Sequence, residues 1–204
     1  MQTKLNMKKI TRIALVQPNM KWMDWNWKTS WDIHPLNLCL LGAMIKEDYQ
    51  VTVIDSNLEN HTPEQFKQVI AELKPDLVGL TLLTNEYSAI AHLGAKLVKE
   101  VSPDIITVLG GVYATVSYKS IYDDTNFDYI CVGEGEYTFP KLLNYLNGKD
   151  IFPREGFLGR NDGEHKDPSK VSRTLVEDLD KLPSPAWDLV DYSRYTQRVG
   201  KVTV

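Results

Sequence analysis

Cysteine is scarce in this chain of 204 residues, which contains only Cys39 and Cys131. Two cysteines cannot build a disulfide framework, and they form no cysteine-rich motif for zinc or an iron–sulfur cluster. Chains with free cysteines suit a reducing compartment. We therefore expect the protein in the cytoplasm.

Long apolar runs and an excess of positive charge are also missing. No run approaches the roughly 20 apolar residues that cross a bilayer, and the N-terminus has no secretory pattern. Lysine and arginine number 23 against 27 aspartate and glutamate residues, a formal net charge of −4. Without a basic field, nucleic acid is a poor partner. We expect neither a nucleic-acid partner nor a membrane partner.

The chain does contain short, β-branched apolar runs that alternate with helical patterns. Five such runs are predicted strands: 12–17, 51–54, 76–83, 105–109 and 129–132. Alternation of this kind is typical of βαβ units and a parallel sheet. We expect an α/β fold, a flavodoxin-like, doubly wound, five-stranded parallel sheet in the order 2-1-3-4-5.

The character of the sequence changes after Gly148. Residues 151–204 contain short apolar pieces, the turn signal Asn161-Asp162-Gly163 and a proline-stiffened run at 178–187. This pattern indicates a hairpin followed by an extended connector. We expect one domain at 10–150 and a hairpin and linker at 151–204.

The loops after the predicted strands lack the common phosphate-binding motifs. None has the G-x-G-x-x-G spacing after the first strand, and there is no P-loop. Strand four instead ends in Gly110 and Gly111, and two adjacent residues without Cβ atoms let a ligand lie against the backbone. Ligands of open α/β sheets bind at this edge.

One spacing in these loops matches a known pattern. Thr81-Leu82-Leu83, the 26 residues 84–109 and then Gly110-Gly111 resemble the S-x-L…G-G signature of cobalamin-binding domains. The resemblance implies that the benzimidazole tail of the cofactor passes between strands, with glycine on one wall and a small hydroxyl on the other. Threonine in place of serine keeps that hydroxyl and adds a methyl group.

Three further segments narrow the resemblance: His34-Pro35-Leu36-Asn37-Leu38, Gly133-Glu134-Gly135-Glu136-Tyr137-Thr138-Phe139 and Asp178-x-Asp180-x-Leu182-Pro183-x-Pro185. Together they resemble the N-terminal domain of B12-dependent radical SAM enzymes, which include the anaerobic magnesium-protoporphyrin ester cyclase and many methyltransferases. The similarity covers roughly residues 10–195.

This family implies cobalamin as the cofactor of the domain. It also implies a following radical SAM barrel, the partner of this domain, which holds S-adenosylmethionine and a 4Fe-4S cluster at a C-x-x-x-C-x-x-C motif. That cysteine triplet does not occur in the chain. We expect the cofactor domain of a larger enzyme of methyl transfer or oxidative cyclisation, with no catalytic residue of its own.

The resemblance places the cofactor on residues that end strands or open the first helix: Gln17, Pro18, Asn19, His34, Pro35, Leu36, Thr81, Leu83, Thr84, Gly110, Gly111, Val112, Tyr113, Gly133, Glu134 and Gly135. Glu134 is a candidate acceptor for a ribose or amide of the tail. Glu136 is expected in the first turn of a helix, where it suits the helix dipole.

His34 has two interpretations. The run from Asp32 to Asn37 is similar to the D-x-H-x-x-G motif, in which the histidine ligates cobalt and the aspartate orients its ring. Asn37, however, stands where that motif has glycine, and the radical SAM branch generally has no histidine ligand. His34 is therefore either a cobalt ligand or a loop residue near the lower face of the corrin.

A long loop at 19–35 carries Trp22, Trp25, Trp27 and Trp31. Indoles supply large contact areas, which favours contact with the cofactor or with a partner domain over an exposed loop. A different class of function also remains open, namely a non-catalytic interaction or sensory module with an empty cleft.

Overall fold

The structure is a computed structural model that describes residues 9–23, 33–153, 155–160 and 167–198. These residues form one sheet in the order β2-β1-β3-β4-β5-β6. Its strands are β1 Arg12–Gln17, β2 Gln50–Asp55, β3 Leu77–Thr81, β4 Ile106–Gly110, β5 Tyr129–Cys131 and β6 Phe157–Gly159. The first five strands are parallel. The predicted α/β fold with a flavodoxin-like, mainly parallel sheet is confirmed.

The prediction of five strands is wrong, because β6 pairs antiparallel with β5. Ile130 lies opposite Leu158 in this pair, and Phe157 and Leu158 are each 1% exposed. The sequence shows these residues only as a short apolar piece beyond residue 150. Such a piece does not reveal its strand partner, since the partner lies far back along the chain.

Helices cover both faces of the sheet. They are α1 Leu36–Ile45, α2 Ser56–Glu59, α3 Pro63–Leu73, α4 Ser88–Val101, α5 Gly111–Ile121, α6 Thr138–Leu146 and α7 Ser193–Arg198. Leu38 of α1 and Leu142 of α6 are buried on one face. Phe66 of α3, Ile90 of α4 and Ala114 of α5 are buried on the other. None of the described helices is long and apolar enough to cross a bilayer.

Local sequence explains how two of these helices begin. The three-residue spacing of Thr62 and Gln65 in the sequence predicts a capping box. The Thr62 hydroxyl accepts from the Gln65 N–H at 3.2 Å and the Gln65 side chain accepts from the Thr62 N–H at 2.8 Å, which confirms it for α3. The sequence favours a short helix near 114–122, but the helix begins earlier, at Gly111, whose φ is +90°. Glycine adopts this angle without strain, so the chain turns from β4 directly into α5.

Residues 172–174 run back beside the loop after β5. The Thr174 N–H donates to the Val132 carbonyl at 3.2 Å, and the Glu134 N–H donates to the Thr174 carbonyl at 2.9 Å. The chain beyond residue 166 therefore forms part of the same packed unit. The division into 10–150 and 151–204 stays a prediction.

The last described segment lies along α1. The Ala186 N–H donates to the Cys39 carbonyl at 3.0 Å, and a Cβ atom at Gly42 would lie 2.5 Å from Leu189 Cδ1. A side chain at position 42 would therefore require the Leu189 side chain to shift. Lys46 and Asp188 add an ion pair at 2.9 Å.

Candidate functional site

A cavity of about 740 Å³ opens at the carboxyl ends of the parallel strands, beside the first turn of α1. Leu15, Gly79 and Val108 of the three central strands line its inner part. A volume of this size suits an organic cofactor. Its position is the one at which open α/β sheets bind their ligands.

The rim of this cavity is unusually apolar for a surface. Ile33, Leu36, Leu83, Val112 and Val116 line it, and each is between 47% and 62% exposed. Large apolar side chains that are exposed together mark a surface that another molecule covers. The rim therefore favours a ligand or partner with an extended apolar face.

Gly111 is required by the fold itself. A Cβ atom at this position would lie 2.6 Å from the Leu82 carbonyl oxygen and 2.8 Å from Thr81 Oγ1. Its φ of +90° is also one that side chains of L-residues rarely adopt. The close approach of β3 and α5 therefore explains this glycine without any ligand.

Gly110 differs from its neighbour, because the protein leaves space beside it. Its φ is −130°, which any residue can adopt, and a Cβ atom would meet its nearest neighbour, Cys131 Cβ, at 3.8 Å. Gly110 lines the cavity, so an added methyl group would enter the space available to a ligand. This open cradle fits a ligand that lies against the backbone.

The Thr81 hydroxyl stands opposite these glycines. Thr81 pairs with Gly110 in the sheet, and its Oγ1 accepts a hydrogen bond from Asn37 Nδ2 at 2.9 Å. A hydroxyl that accepts still has its own hydrogen to donate. Asn37, at the position where the D-x-H-x-x-G motif has glycine, thus orients the hydroxyl predicted from the S-x-L pattern.

His34 lines the cavity and is half-buried. Its ring lies edge-on to Trp187 at 5.3 Å and to Tyr192 at 5.7 Å between centroids. Asp32, its predicted orienting partner, lies outside the described residues. Among the residues that the structure describes, no group of three or more histidine, cysteine or acidic side chains is placed to hold a metal ion. Cobalt ligation by His34 stays a prediction.

Two carboxyl groups follow β5. The Glu134 carboxylate accepts from the Val176 N–H, which ties the returning chain to this loop. Glu136 precedes α6, so it lies outside the first turn in which it was predicted. Burial raises the pKa of the Glu136 carboxyl, its own backbone N–H opposes this rise, and the nearby Glu134 adds to it. Burial, together with Glu136, raises the pKa of the Cys131 thiol to about 12.

Most of the residues predicted to bind the cofactor line the cavity: Gln17, His34, Leu36, Thr81, Leu83, Thr84, Gly110, Gly111, Val112, Gly133, Glu134 and Gly135. Pro18, Asn19, Pro35 and Tyr113 are buried beside it instead and do not line it. The Asn19 side chain donates to the His61 carbonyl at 3.0 Å. The Tyr113 hydroxyl faces His92 at 2.9 Å.

Several lining residues have no signal in the sequence. In the sequence, Leu15, Gly79 and Val108 resemble ordinary core residues of a strand. Arg173 lies outside every predicted strand end. Asn37 and Glu136 could be found from the sequence, because both belong to segments that carry the resemblance.

Of the tryptophans in the loop at 19–35, the structure describes Trp22. Trp22 packs on Phe66 at 5.1 Å between ring centroids and donates from Nε1 to the His61 carbonyl at 2.8 Å. Trp25, Trp27 and Trp31 lie outside the described residues.

The sheet order, the cavity lined by Thr81 and Gly110 and the apolar rim define a flavodoxin-like domain with a cofactor cleft at the carboxyl edge of its sheet. The chain belongs to the B12 binding domain family, whose model matches residues 28–143. The sequence resemblance to cobalamin-binding domains is thereby confirmed, and with it cobalamin as the cofactor of this domain class.

Relatives of known name agree with this family. The chain is 30% identical over 164 residues to an uncharacterized methyltransferase of Pyrococcus horikoshii, covering 79% of this chain and 35% of the relative. It is also 30% identical over 178 residues to the anaerobic magnesium-protoporphyrin IX monomethyl ester cyclase of Rubrivivax gelatinosus, covering 83% and 30%.

A solved structure has the same fold. The cobalamin-dependent S-adenosylmethionine radical enzyme OxsB with aqua-cobalamin bound superposes with a TM-score of 0.68 and 17% identity, over 93% of this chain and 25% of that one. At this identity the likeness shows the fold alone. The chain thus spans about a third of the length of these curated relatives and a quarter of the solved chain.

Proposed function

We propose that this chain binds cobalamin in the cavity described above and serves as the cofactor domain of a larger B12-dependent radical SAM enzyme. The backbone at Gly110 carries the proposal, because it lines the cavity and an added Cβ atom would meet the protein only at an ordinary contact distance, 3.8 Å from Cys131 Cβ. In this proposal the benzimidazole tail lies between Thr81 and Gly110-Gly111 and ends near Gly133–Gly135. S-adenosylmethionine and the 4Fe-4S cluster belong to a separate domain, as does catalysis.

In this proposal, different residues of the site contact different parts of the cofactor. The apolar rim covers part of the corrin and keeps water from it. The Thr81 oxygen accepts from Asn37 Nδ2, and in this proposal its hydroxyl hydrogen is donated to the cofactor. Bound cobalamin supplies the cobalt that carries an alkyl group in transfer reactions, and these residues keep it in one orientation.

Charge also complements the tail of the cofactor, which contains one phosphodiester. Arg173 lines the cavity, and its Cγ would lie 3.0 Å from a Cβ atom at Gly133. A guanidinium binds phosphate oxygens through paired hydrogen bonds. In this proposal Arg173 therefore binds the phosphodiester, near Gly133.

The proposal is tested by titrating the 204-residue chain with hydroxocobalamin while the visible spectrum is recorded. The expected result is a saturable shift to the base-off spectrum, since the benzimidazole must leave cobalt to enter the cavity. An unchanged spectrum at every concentration contradicts the proposal. That result would instead favour the alternative function, a non-catalytic interaction module whose exposed rim is the docking face.

A second test concerns the parent enzyme rather than the cofactor. The proposal expects the gene to encode a C-x-x-x-C-x-x-C motif beyond Val204. A stop codon there contradicts the radical SAM part of the proposal, and cobalamin binding by the chain is then judged by the titration alone.

A further inference from the structure

The cavity has two levels that differ in chemistry. Leu15, Gly79 and Val108, which line its inner part, stand next to one another in the register of β1, β3 and β4. Thr81 and Gly110 pair two residues further along β3 and β4 and belong to the same face of the sheet, since side chains of a strand alternate. The inner part is therefore about 6–7 Å deeper than this outer level at Thr81 and Gly110.

The inner part is apolar on every side. Leu15 and Val108 have aliphatic side chains, Gly79 has none, and the backbones of their strands pair in the parallel sheet. The helices that cover this face contribute apolar lining residues of the same hydrophobic cluster, namely Leu38, Leu41 and Phe139. A polar group that entered the inner part would find no side chain of these residues to pair with.

The polar side chains of the cavity belong to its outer level. Gln17 and Thr81 are the last residues of β1 and β3, and Asn37 in the first turn of α1 donates to Thr81. The other polar lining residues precede α1, follow a strand end or lie in the chain that returns beside β5: His34, Thr84, Thr115, Glu134, Glu136 and Arg173. Cys131 lies beside Gly110 at the outer level, and burial keeps it a neutral thiol with a pKa of about 12.

We propose that the inner part selects among cobamides, the corrinoids with a nucleotide tail, by the base of that tail, and that it accepts a benzimidazole and rejects a purine. The inference rests on the proposed function, in which the benzimidazole lies between Thr81 and Gly110, next to the inner part. The far end of a dimethylbenzimidazole consists of carbon atoms alone. An adenine presents an amino group and ring nitrogens there, which would lose their water without gaining a partner.

The chemistry of the inner part also sets the size of this preference. Apolar pockets reject an analogue that adds one polar group by about a hundredfold at most. We therefore expect a cobamide with adenine as its base to bind about ten- to a hundredfold more weakly than cobalamin. A phenolic base such as p-cresol, which has no nitrogen, should be accepted.

The test measures the affinity of the full chain for cobalamin, adeninylcobamide and p-cresolylcobamide by equilibrium dialysis. All three are used in the dicyano form, in which cyanide occupies both axial positions of cobalt. Each base is then free of the metal before it binds, so the comparison reports the fit of the base alone. We expect p-cresolylcobamide to bind with an affinity closer to that of cobalamin than to that of adeninylcobamide.

Two variants locate the preference in the inner part. Val108→Thr adds a hydroxyl there at almost unchanged volume, and it should lower the ratio of cobalamin to adeninylcobamide affinity at least about threefold, because the hydroxyl can pair with adenine. Val78→Thr is the matched control, since Val78 is equally buried but belongs to the hydrophobic cluster on the other face of the sheet. Its ratio should equal that of the wild type. Partial unfolding of a variant does not alter a ratio measured on one preparation.

Equal wild-type affinities for cobalamin and adeninylcobamide overturn the inference. A wild-type ratio in Val108→Thr, an equal change in Val78→Thr, or p-cresolylcobamide binding as weakly as adeninylcobamide also contradicts it. Each of these outcomes leaves cobalamin binding itself intact. A wild-type chain that binds none of the three cobamides refutes the proposed function as well.

Discussion

At the end of β4, a Cβ atom on Gly111 would lie 2.6 Å from the Leu82 carbonyl oxygen, whereas one on Gly110 would find its nearest neighbour at 3.8 Å. The two glycines thus answer different demands. Gly111 lets β3 and α5 approach each other, and Gly110 leaves the cavity open beside the backbone. The G-G pattern is one motif in the sequence but two separate functions in the structure.

This difference predicts opposite behaviour of two single substitutions. Gly110→Ala should change the free energy of unfolding by less than about 0.5 kcal/mol. It should weaken hydroxocobalamin binding by about tenfold, because the added methyl group occupies part of the cavity. Gly111→Ala should destabilise by about 1–3 kcal/mol, because its φ is positive and its Cβ atom collides with backbone. Urea unfolding and absorbance titration measure the two effects. Equal stability of the two variants would contradict this assignment.

At the scale of elements, a polar cluster joins α4, α5 and the turn that follows α5. His92 lies between Asp124, 2.5 Å from Nδ1, and Tyr113, 2.9 Å from Nε2. The His92 side chain is about one-third exposed. Burial acts to raise the pKa of the Asp124 carboxyl, but hydrogen bonds from His92 and Asn126 outweigh it and leave that pKa below its usual value.

The lowered pKa of Asp124 predicts a pH-dependent contribution to stability. A carboxyl whose folded pKa lies below its unfolded pKa stabilises the fold above the unfolded pKa, and this contribution disappears as pH falls through the folded value. Asp124→Asn should therefore lose about 1 kcal/mol at pH 7 and approach the wild type in strong acid. Urea unfolding across pH 2–8 checks this, and a constant difference between the two proteins would refute it.

At the scale of the whole molecule, the C-terminal segment joins the far end of the sheet. The Tyr195 hydroxyl donates to Asp55 Oδ2 at 2.9 Å, across 140 residues of sequence. Burial, with Asp55 close by, raises the pKa of Tyr195. Arg194 and Glu59 form an ion pair beside this contact. Trp187 of the same segment contacts His34, which lines the cavity, so this segment packs against a residue of the cavity lining.

Removing one hydroxyl should loosen this segment without disturbing the sheet. Tyr195→Phe is expected to lower the free energy of unfolding by about 1 kcal/mol and to speed amide exchange in α7. Asp55 keeps its contacts with the N–H groups of Asn57 and Leu58. Tyr192→Phe is the matched control, since that hydroxyl has no hydrogen bond in the described residues. Unchanged exchange in α7 would show that the bond does not hold the segment.

The predictions from sequence succeeded where short-range patterns decide structure. The alternation of apolar runs and the capping residues Thr62 and Gln65 are local signals, and they gave the parallel sheet and the start of α3. The pairing of β6 with β5 failed because strand pairing depends on distant residues. Arg173 was missed for the same reason. It lies beside Gly133 because residues 172–174 pair with the loop after β5, and no sequence motif predicts that pairing.

By itself, the sequence determined the class of fold, the cofactor family and the edge of the sheet at which the cofactor site lies. Parallel strands must end at a common edge, and the spacing of Thr81 and Gly110-Gly111 is a property of the chain. Only the tertiary structure decided which glycine serves the fold and which residues close the cavity. These depend on distances between residues far apart in sequence, and packing alone sets such distances.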